Sequence, residues 1–166
     1  MGGTGDGAAP AVTVTNWLAR VAMGLMFGFW ATVLVILPAA LAPPKPWSAA
    51  LLPLAFVAAF GRALRIRLVL GTSTVRIYNY FETVAIEVAD VEALVPGAAR
   101  VLSPGGGACA GFQVAGRPAP YPAMATMSWS WTFGGPSRKS RKLFRLLSDW
   151  AAAHGIPMRL EARHLG

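Results

Sequence analysis

The chain has 166 residues, of which 55% are hydrophobic and 13% charged, and it carries a formal net charge of +8. That length leaves room for one small domain beside any long apolar segment, and the surplus of positive charge favours an anionic neighbour. One cysteine excludes an internal disulfide, a cysteine zinc set and a dithiol redox pair, so Cys109 is expected to be a small packed residue.

Residues 1–16, rich in Gly, Ala and Thr, read as a disordered tail. Residues 21–44 and 46–61 follow without a single charge. Hydrocarbon demands about 20 apolar residues per helical span. The first stretch meets that demand, and the second, about 16 residues long, has to recruit Leu64 and let Arg62 snorkel. Residues 17–64 are therefore expected to form a two-helix transmembrane hairpin. Its turn is Pro43-Pro44-Lys45-Pro46-Trp47, where three prolines forbid a continuous helix. Trp17 and Trp47 suit the headgroup layer at the two ends of the first span, and Trp30 falls in its middle. Arg20 precedes the hairpin and Arg62, Arg65 and Arg67 follow it, against Lys45 alone in the turn. This asymmetry predicts a multi-pass protein of the plasma membrane with both termini cytoplasmic. Arg20, the apolar run and Ala40-Leu41-Ala42 imitate a secretory signal, but Pro43 after the cut fits a signal protease poorly and a second apolar segment follows, so no cleavage is expected.

After Gly61, which precedes 13 of the 15 basic and six of the seven acidic residues, the pattern changes to alternation. Residues 65–70 run into the turn Gly71-Thr72-Ser73, and Val75, Ile77 and Asn79 then alternate with Arg76, Tyr78 and Tyr80. Val84, Ile86 and Val88 share one face of a third strand, and residues 90–94 close the run, which makes an antiparallel meander. Beyond Pro96-Gly97 the pattern weakens. Residues 103–107 read as a loop, 110–114 as a fourth strand, and Pro118, Pro120 and Pro122 forbid a central strand in the next stretch. Met124, Met127, Trp129, Trp131 and Phe133 fit an edge strand with the last three on one face. Ser137 caps a helix whose Leu143, Leu146, Leu147 and Trp150 recur at helical spacing until Gly155 and Pro157 stop it, with Trp150 expected to plug the gap between helix and sheet.

Two apolar helices, then Thr74-Val75-Arg76-Ile77-Tyr78-Asn79, then Val88-Ala89-Asp90-Val91, resemble the bacterial pleckstrin homology (PH) domain membrane proteins of the actinobacterial type, over roughly residues 17–151. In that family the strand after the hairpin turn ends in Asn, matched by Asn79. The third strand leads into a Trp-x-Asp-hydrophobic step, in which Asp90 and Val91 match and Val88 replaces the Trp. The resemblance implies an α+β membrane protein: a transmembrane hairpin followed by a PH-like antiparallel β domain over 65–155, a half-barrel or barrel closed by the C-terminal amphipathic helix, with 156–166 as a tail. It implies no enzymatic activity. Asn79 and Asp90 themselves read as structural residues that bond backbone groups at strand ends.

Enzyme chemistry finds no foothold in the sequence. His154 and His164 have no carboxylate, thiol or hydroxyl at a spacing that would assemble a nucleophile and base, and Gly105-Gly106-Gly107 lacks the Lys-Ser/Thr of a phosphate loop. No cofactor and no metal are expected. The strongest chemical signal is Arg138, Lys139, Arg141, Lys142 and Arg145 at the start of the last helix. A solvated face is one reading of these cations and anionic headgroup contact another. With Trp129 and Trp131 they form the expected lipid or partner contact. The expected function is a non-enzymatic, membrane-anchored adaptor that docks another membrane protein, with an anionic-lipid-binding module as the alternative. Nucleic acid is not an expected partner.

Overall fold

The computed structural model describes residues 11–41, 48–99, 107–128 and 138–161. Chain order begins with strand β1 (Val12–Val14) and the helices α1 (Trp17–Leu41) and α2 (Ser48–Leu64). Three strands follow, β2 (Arg67–Leu70), β3 (Thr74–Tyr78) and β4 (Thr83–Glu87), and a single 3-10 turn at Val88–Asp90. A second set of strands, β5 (Val91–Ala99), β6 (Gly107–Val114) and β7 (Tyr121–Ser128), leads to helix α3 (Arg138–Ala153). The strands form two antiparallel sheets, β1-β2-β3-β4 and β5-β6-β7.

The period-2 alternation sets the first sheet. Leu68 pairs with Ile77 and Leu70 with Val75, and Val75 pairs in turn with Ile86. All five are buried, while Arg67, Arg76, Thr83 and Glu87 alternate outward. Across from this face lie Leu94, Cys109, Phe112, Ala123, Ala125 and Met127 of the second sheet, and one core joins the two. Asn79, 7% exposed, fastens them: its side-chain amide donates to the Pro122 carbonyl at 2.7 Å and accepts from the Met124 N–H at 3.0 Å. Pro96 and Pro122 lie on β5 and β7, the two outer strands of their sheet, where a missing donor costs no interior ladder bond. Thr126 repairs the irregular β6–β7 register, accepting from the Ala110 N–H at 2.8 Å and donating to the Ala123 carbonyl at 2.7 Å.

Both apolar stretches are helical, but the transmembrane hairpin is overturned. Among the described residues no helix is long and apolar enough to cross a membrane. Helix α2 is 17 residues long with Pro53 inside it, short of the roughly 20 that a span needs. Both helices are packed onto the sheets. Met23 and Ala63 belong to the same buried core, and Phe27 of α1 stacks on Tyr80 at 4.0 Å between ring centroids. Arg62, expected to snorkel, and Arg20, expected with it to orient the chain, are tied to backbone instead. Arg20 Nε donates to the Ile66 carbonyl at 2.9 Å. Arg62 donates through Nε to the Tyr80 carbonyl at 2.6 Å and through Nη2 to the Phe81 carbonyl at 3.0 Å. The multi-pass plasma-membrane location with cytoplasmic termini falls with the spans. Among the described residues the fold is α+β, two antiparallel sheets with three helices.

Two boundaries also move. Val12–Val14, read as tail, pairs with Leu68–Leu70 as the outer strand of the first sheet. Beyond α3 the chain returns to the second sheet, where Leu94 pairs in parallel with Met158. Leu94 donates to the Pro157 carbonyl at 3.0 Å and accepts from the Arg159 N–H at 2.7 Å. Ile156 and Leu160 are buried there, so residues 156–161 belong to the folded unit rather than to a tail. Val88 leaves the third strand for the 3-10 turn that links the sheets, and residues 91–94 open the second sheet rather than closing the first.

Candidate functional surfaces

Helix α3 owes its place to one stripe. Leu147, Trp150 and Ala151 are buried, the Trp150 indole N–H donates to the Gly71 carbonyl in the β2–β3 turn at 3.1 Å, and the Phe112 ring meets it edge-on at 6.2 Å. Trp150 is thus the core plug between helix and sheet. The helix stops where Gly155 takes a φ of +65°, with Ile156 N–H bonding the Ala151 carbonyl at 2.9 Å and Gly155 N–H the Ala152 carbonyl at 3.2 Å, a Schellman ending. Anchoring that stripe turns the opposite face outward, and Arg138, Lys139, Arg141, Lys142 and Arg145 are all exposed. The structure therefore gathers the five predicted cations on one helix face. They lie at the N-terminal end of α3, where positive charge opposes the helix dipole. Trp129 and Trp131, the other two predicted contact residues, lie outside the described residues, as do Phe133, Ser137 and His164.

A second surface comes from the helical pair. On α1, Trp17, Leu25 and Phe29 follow one another at multiples of four residues and are exposed, and Trp30 meets the Phe29 ring at 5.9 Å. On α2, Leu54, Val57 and Leu64 keep a second outward row at spacings of three and seven. Phe29 is 61% exposed, Leu54 64% and Val57 66%. Where the two helices meet, a Cβ on Gly28 would stand 2.5 Å from the Phe56 ring, so that glycine is the notch that lets them close.

A third cluster lies on the outer face of the first sheet. Arg67 stands opposite Tyr78 across the β2–β3 ladder, and its guanidinium carbon sits 4.3 Å from the centre of the Tyr78 ring. Hydrogen bonding from Arg67 and then from Arg76 holds the Tyr78 hydroxyl below the usual phenol pKa. Tyr80, two residues on, points inward, and burial pushes its hydroxyl up while it donates to the Ala59 carbonyl at 3.1 Å. The cluster was missed in the sequence, although the strand register contains it. Once Gly71-Thr72-Ser73 is taken as the turn, Arg67 and Tyr78 become cross-strand partners and Arg76 falls on the same face.

Two residues considered for chemistry, Cys109 and His154, take structural places in the fold. Cys109 is fully buried, and the His154 Nδ1 bonds the Trp150 carbonyl at 2.8 Å. Asp90 is exposed and its carbonyl accepts the Ala115 N–H at 3.0 Å. Among the described residues no group of three or more His, Cys, Asp or Glu could hold a metal ion. No family model, no curated protein and no solved structure matches this chain. The PH-domain membrane family therefore has no support beyond its short motifs, and that resemblance is withdrawn together with the membrane hairpin it implied.

Proposed function

We propose that the chain is a non-enzymatic adaptor whose α1–α2 pair docks a protein partner carrying an uncharged apolar surface. The observation that carries this reading is the outward ridge of Leu25, Phe29, Trp30, Leu54 and Val57. Exposed aromatic and aliphatic side chains clustered at this density mark interaction sites, and rigid aromatic anchors dominate the energetics of protein interfaces. The ridge carries no charge, so recognition rests on shape and apolar burial, with the cations of α3 left to speed encounter with an acidic region of the partner.

The test is a crosslinked purification of the tagged full-length chain, comparing wild type with the double variant Phe29→Glu, Val57→Glu. Both positions are solvent-exposed, so the fold tolerates the change. The expected result is a stoichiometric partner that the variant loses by at least about ten-fold, in line with the cost of disrupting central apolar anchors. Equal recovery of that partner with the variant would contradict the reading.

A second reading, contact between α3 and anionic lipid headgroups, is favoured by the five exposed cations. Each basic residue brought near an anionic surface contributes about 1 kcal/mol. Replacing Arg138, Lys139, Arg141 and Lys142 by Gln abolishes binding to anionic vesicles under this reading and leaves the protein partner in place under the first.

A further inference from the structure

The open edge of the first sheet is a surface that neither docking reading uses. Strands β1, β4, β5 and β7 border the two sheets. Bare edge groups template pairing with another chain, and folded proteins blunt them. Three of these edges are blunted. β1 is only three residues long. β5 is covered at its centre, where Leu94 bonds the Pro157 carbonyl and the Arg159 N–H. β7 carries Pro122, and the side chains of Asn79 and Asn16 take its Pro122 and Met127 carbonyls and its Met124 N–H. β4 differs: Thr83–Glu87 holds no proline, no lysine and no bulge. Its bonding parity follows from the turn bonds at either end, Asn79 N–H to the Glu82 carbonyl and Val88 N–H to the Ser73 carbonyl. Bonded and non-bonded pairs alternate along an antiparallel ladder, so Val84 and Ile86 bond β3, and Thr83, Ala85 and Glu87 turn their N–H and C=O groups away from it. The Glu87 carbonyl opens the 3-10 turn. Among the described residues the other outward groups have no hydrogen-bond partner, and the side chains of Thr83, Ala85 and Glu87 are exposed.

We propose that β4 is the contact through which two copies of this chain join, running antiparallel about a two-fold axis at Ala85 and merging their first sheets into one. The edge is complementary to itself, as an isologous contact requires. An axis at Ala85 sets Ala85 against Ala85 of the second copy and Thr83 against its Glu87, and it uses the whole strand, whereas moving the axis toward either end shortens the overlap. Across the axis the two Ala85 residues exchange both backbone bonds, and each Glu87 N–H reaches the Thr83 carbonyl of the other copy, about four hydrogen bonds in all. The side chains agree with that register. On the inner face the half-buried Val84 meets Ile86 of the second copy, and on the outer face each Glu87 faces a threonine instead of its own like. Two chains of net charge +8 repel each other, and β4 contributes no cation to that repulsion.

Sedimentation of the full-length chain over a wide range of concentration is expected to show a monomer–dimer equilibrium. Ala85→Pro removes only an outward N–H and breaks no bond to β3, and Ala85→Lys sets two like charges face to face at the axis. Both variants are expected to sediment as monomer where wild type is dimer, while Phe29→Glu, Val57→Glu keeps the dimer because the helical ridge is a separate surface. Disulfide trapping with diamide locates the axis. Bonded opposite residues stand about 5.5 Å apart at Cα, within reach of a disulfide, so Ala85→Cys is expected to give a covalent dimer. The two copies of residue 83 lie roughly 14 Å apart across the axis, so Thr83→Cys is expected to give none. Cys109 is fully buried and stays out of the reaction. A wild-type chain that remains monomeric, a dimer that survives in both Ala85→Pro and Ala85→Lys, or equal trapping by Ala85→Cys and Thr83→Cys overturns the pairing.

Discussion

Asn79 shows how one polar side chain can hold two sheets in register. Its amide gives a hydrogen bond to Pro122 and takes one from Met124, while its own N–H donates to the Glu82 carbonyl at 2.8 Å to close the β3–β4 turn. Proline at 122 brings no N–H to the strand, so the Asn79 amide supplies a donor to β7 at a point where the ladder is weak. Asn79→Ala leaves a buried carbonyl and a buried N–H unpaired, and the expected loss is about 1–3 kcal/mol in chemical denaturation. An unchanged midpoint would mean that water replaces both bonds and that the clamp is dispensable. The sequence marked Asn79 as a structural strand-end residue, because a short amide after an alternating strand has few other uses. Its partners were not legible, since Pro122 and Met124 lie 43 and 45 residues away and nothing local encodes that distance.

At the scale of elements, α3 works as a cover held by one large side chain. Trp150 contributes buried area, an edge-on contact with Phe112 and a hydrogen bond to the β2–β3 turn. Trp150→Ala is expected to cost about 3–5 kcal/mol, whereas Trp150→Phe, which keeps a ring and loses the bond to Gly71, is expected to cost about 1–2 kcal/mol. Thermal or urea denaturation of the two variants separates packing from bonding, and equal losses would show that the Gly71 bond contributes nothing. This helix was legible because Leu143, Leu146, Leu147 and Trp150 repeat at helical spacing. Strands β2 to β4 were legible for the matching reason, alternation with period two. Strand β5 was not. Along Val91–Ala99 the apolar signal is diluted by Pro96 and Gly97, and Gly97 faces so close a neighbour that a Cβ there would stand 3.1 Å from the Gly111 Cα. Small residues that permit such an approach are the ones that carry no hydropathy signal, so β5 was hidden by its own tight packing, whereas residues 110–114 and the stretch with Met124 and Met127 were legible as strand.

For the molecule as a whole, the deciding element is the helical pair. Helices this apolar, with one arginine each near an end, are compatible with lipid on most sides, and composition alone cannot tell lipid from protein as the solvent of an apolar face. The structure separates the faces. One side of α1 and α2 is taken up by Tyr80, Phe81 and the common core, through Phe27, Arg62 and Met23. The other side keeps Leu25, Phe29, Leu54 and Val57 exposed. Two of the arginines that looked like topology markers, Arg20 and Arg62, are turn clamps, and their pairing with carbonyls depends on distances of 18 to 46 residues along the chain that no charge count reveals. The cations of α3, by contrast, were legible in full as a group, because adjacent charges on a helix whose apolar stripe is buried have one direction left to point.

The outward ridge of α1 and α2 is the centre of this account, and a photo-crosslinking amino acid at Val57 in the full-length chain, expressed in its own cells, tests it most directly against the same residue placed at Lys142. One discrete protein adduct is expected from Val57, formed in preference to any adduct from Lys142. Lipid adducts alone from Val57, or a protein adduct from Lys142 with none from Val57, would contradict it.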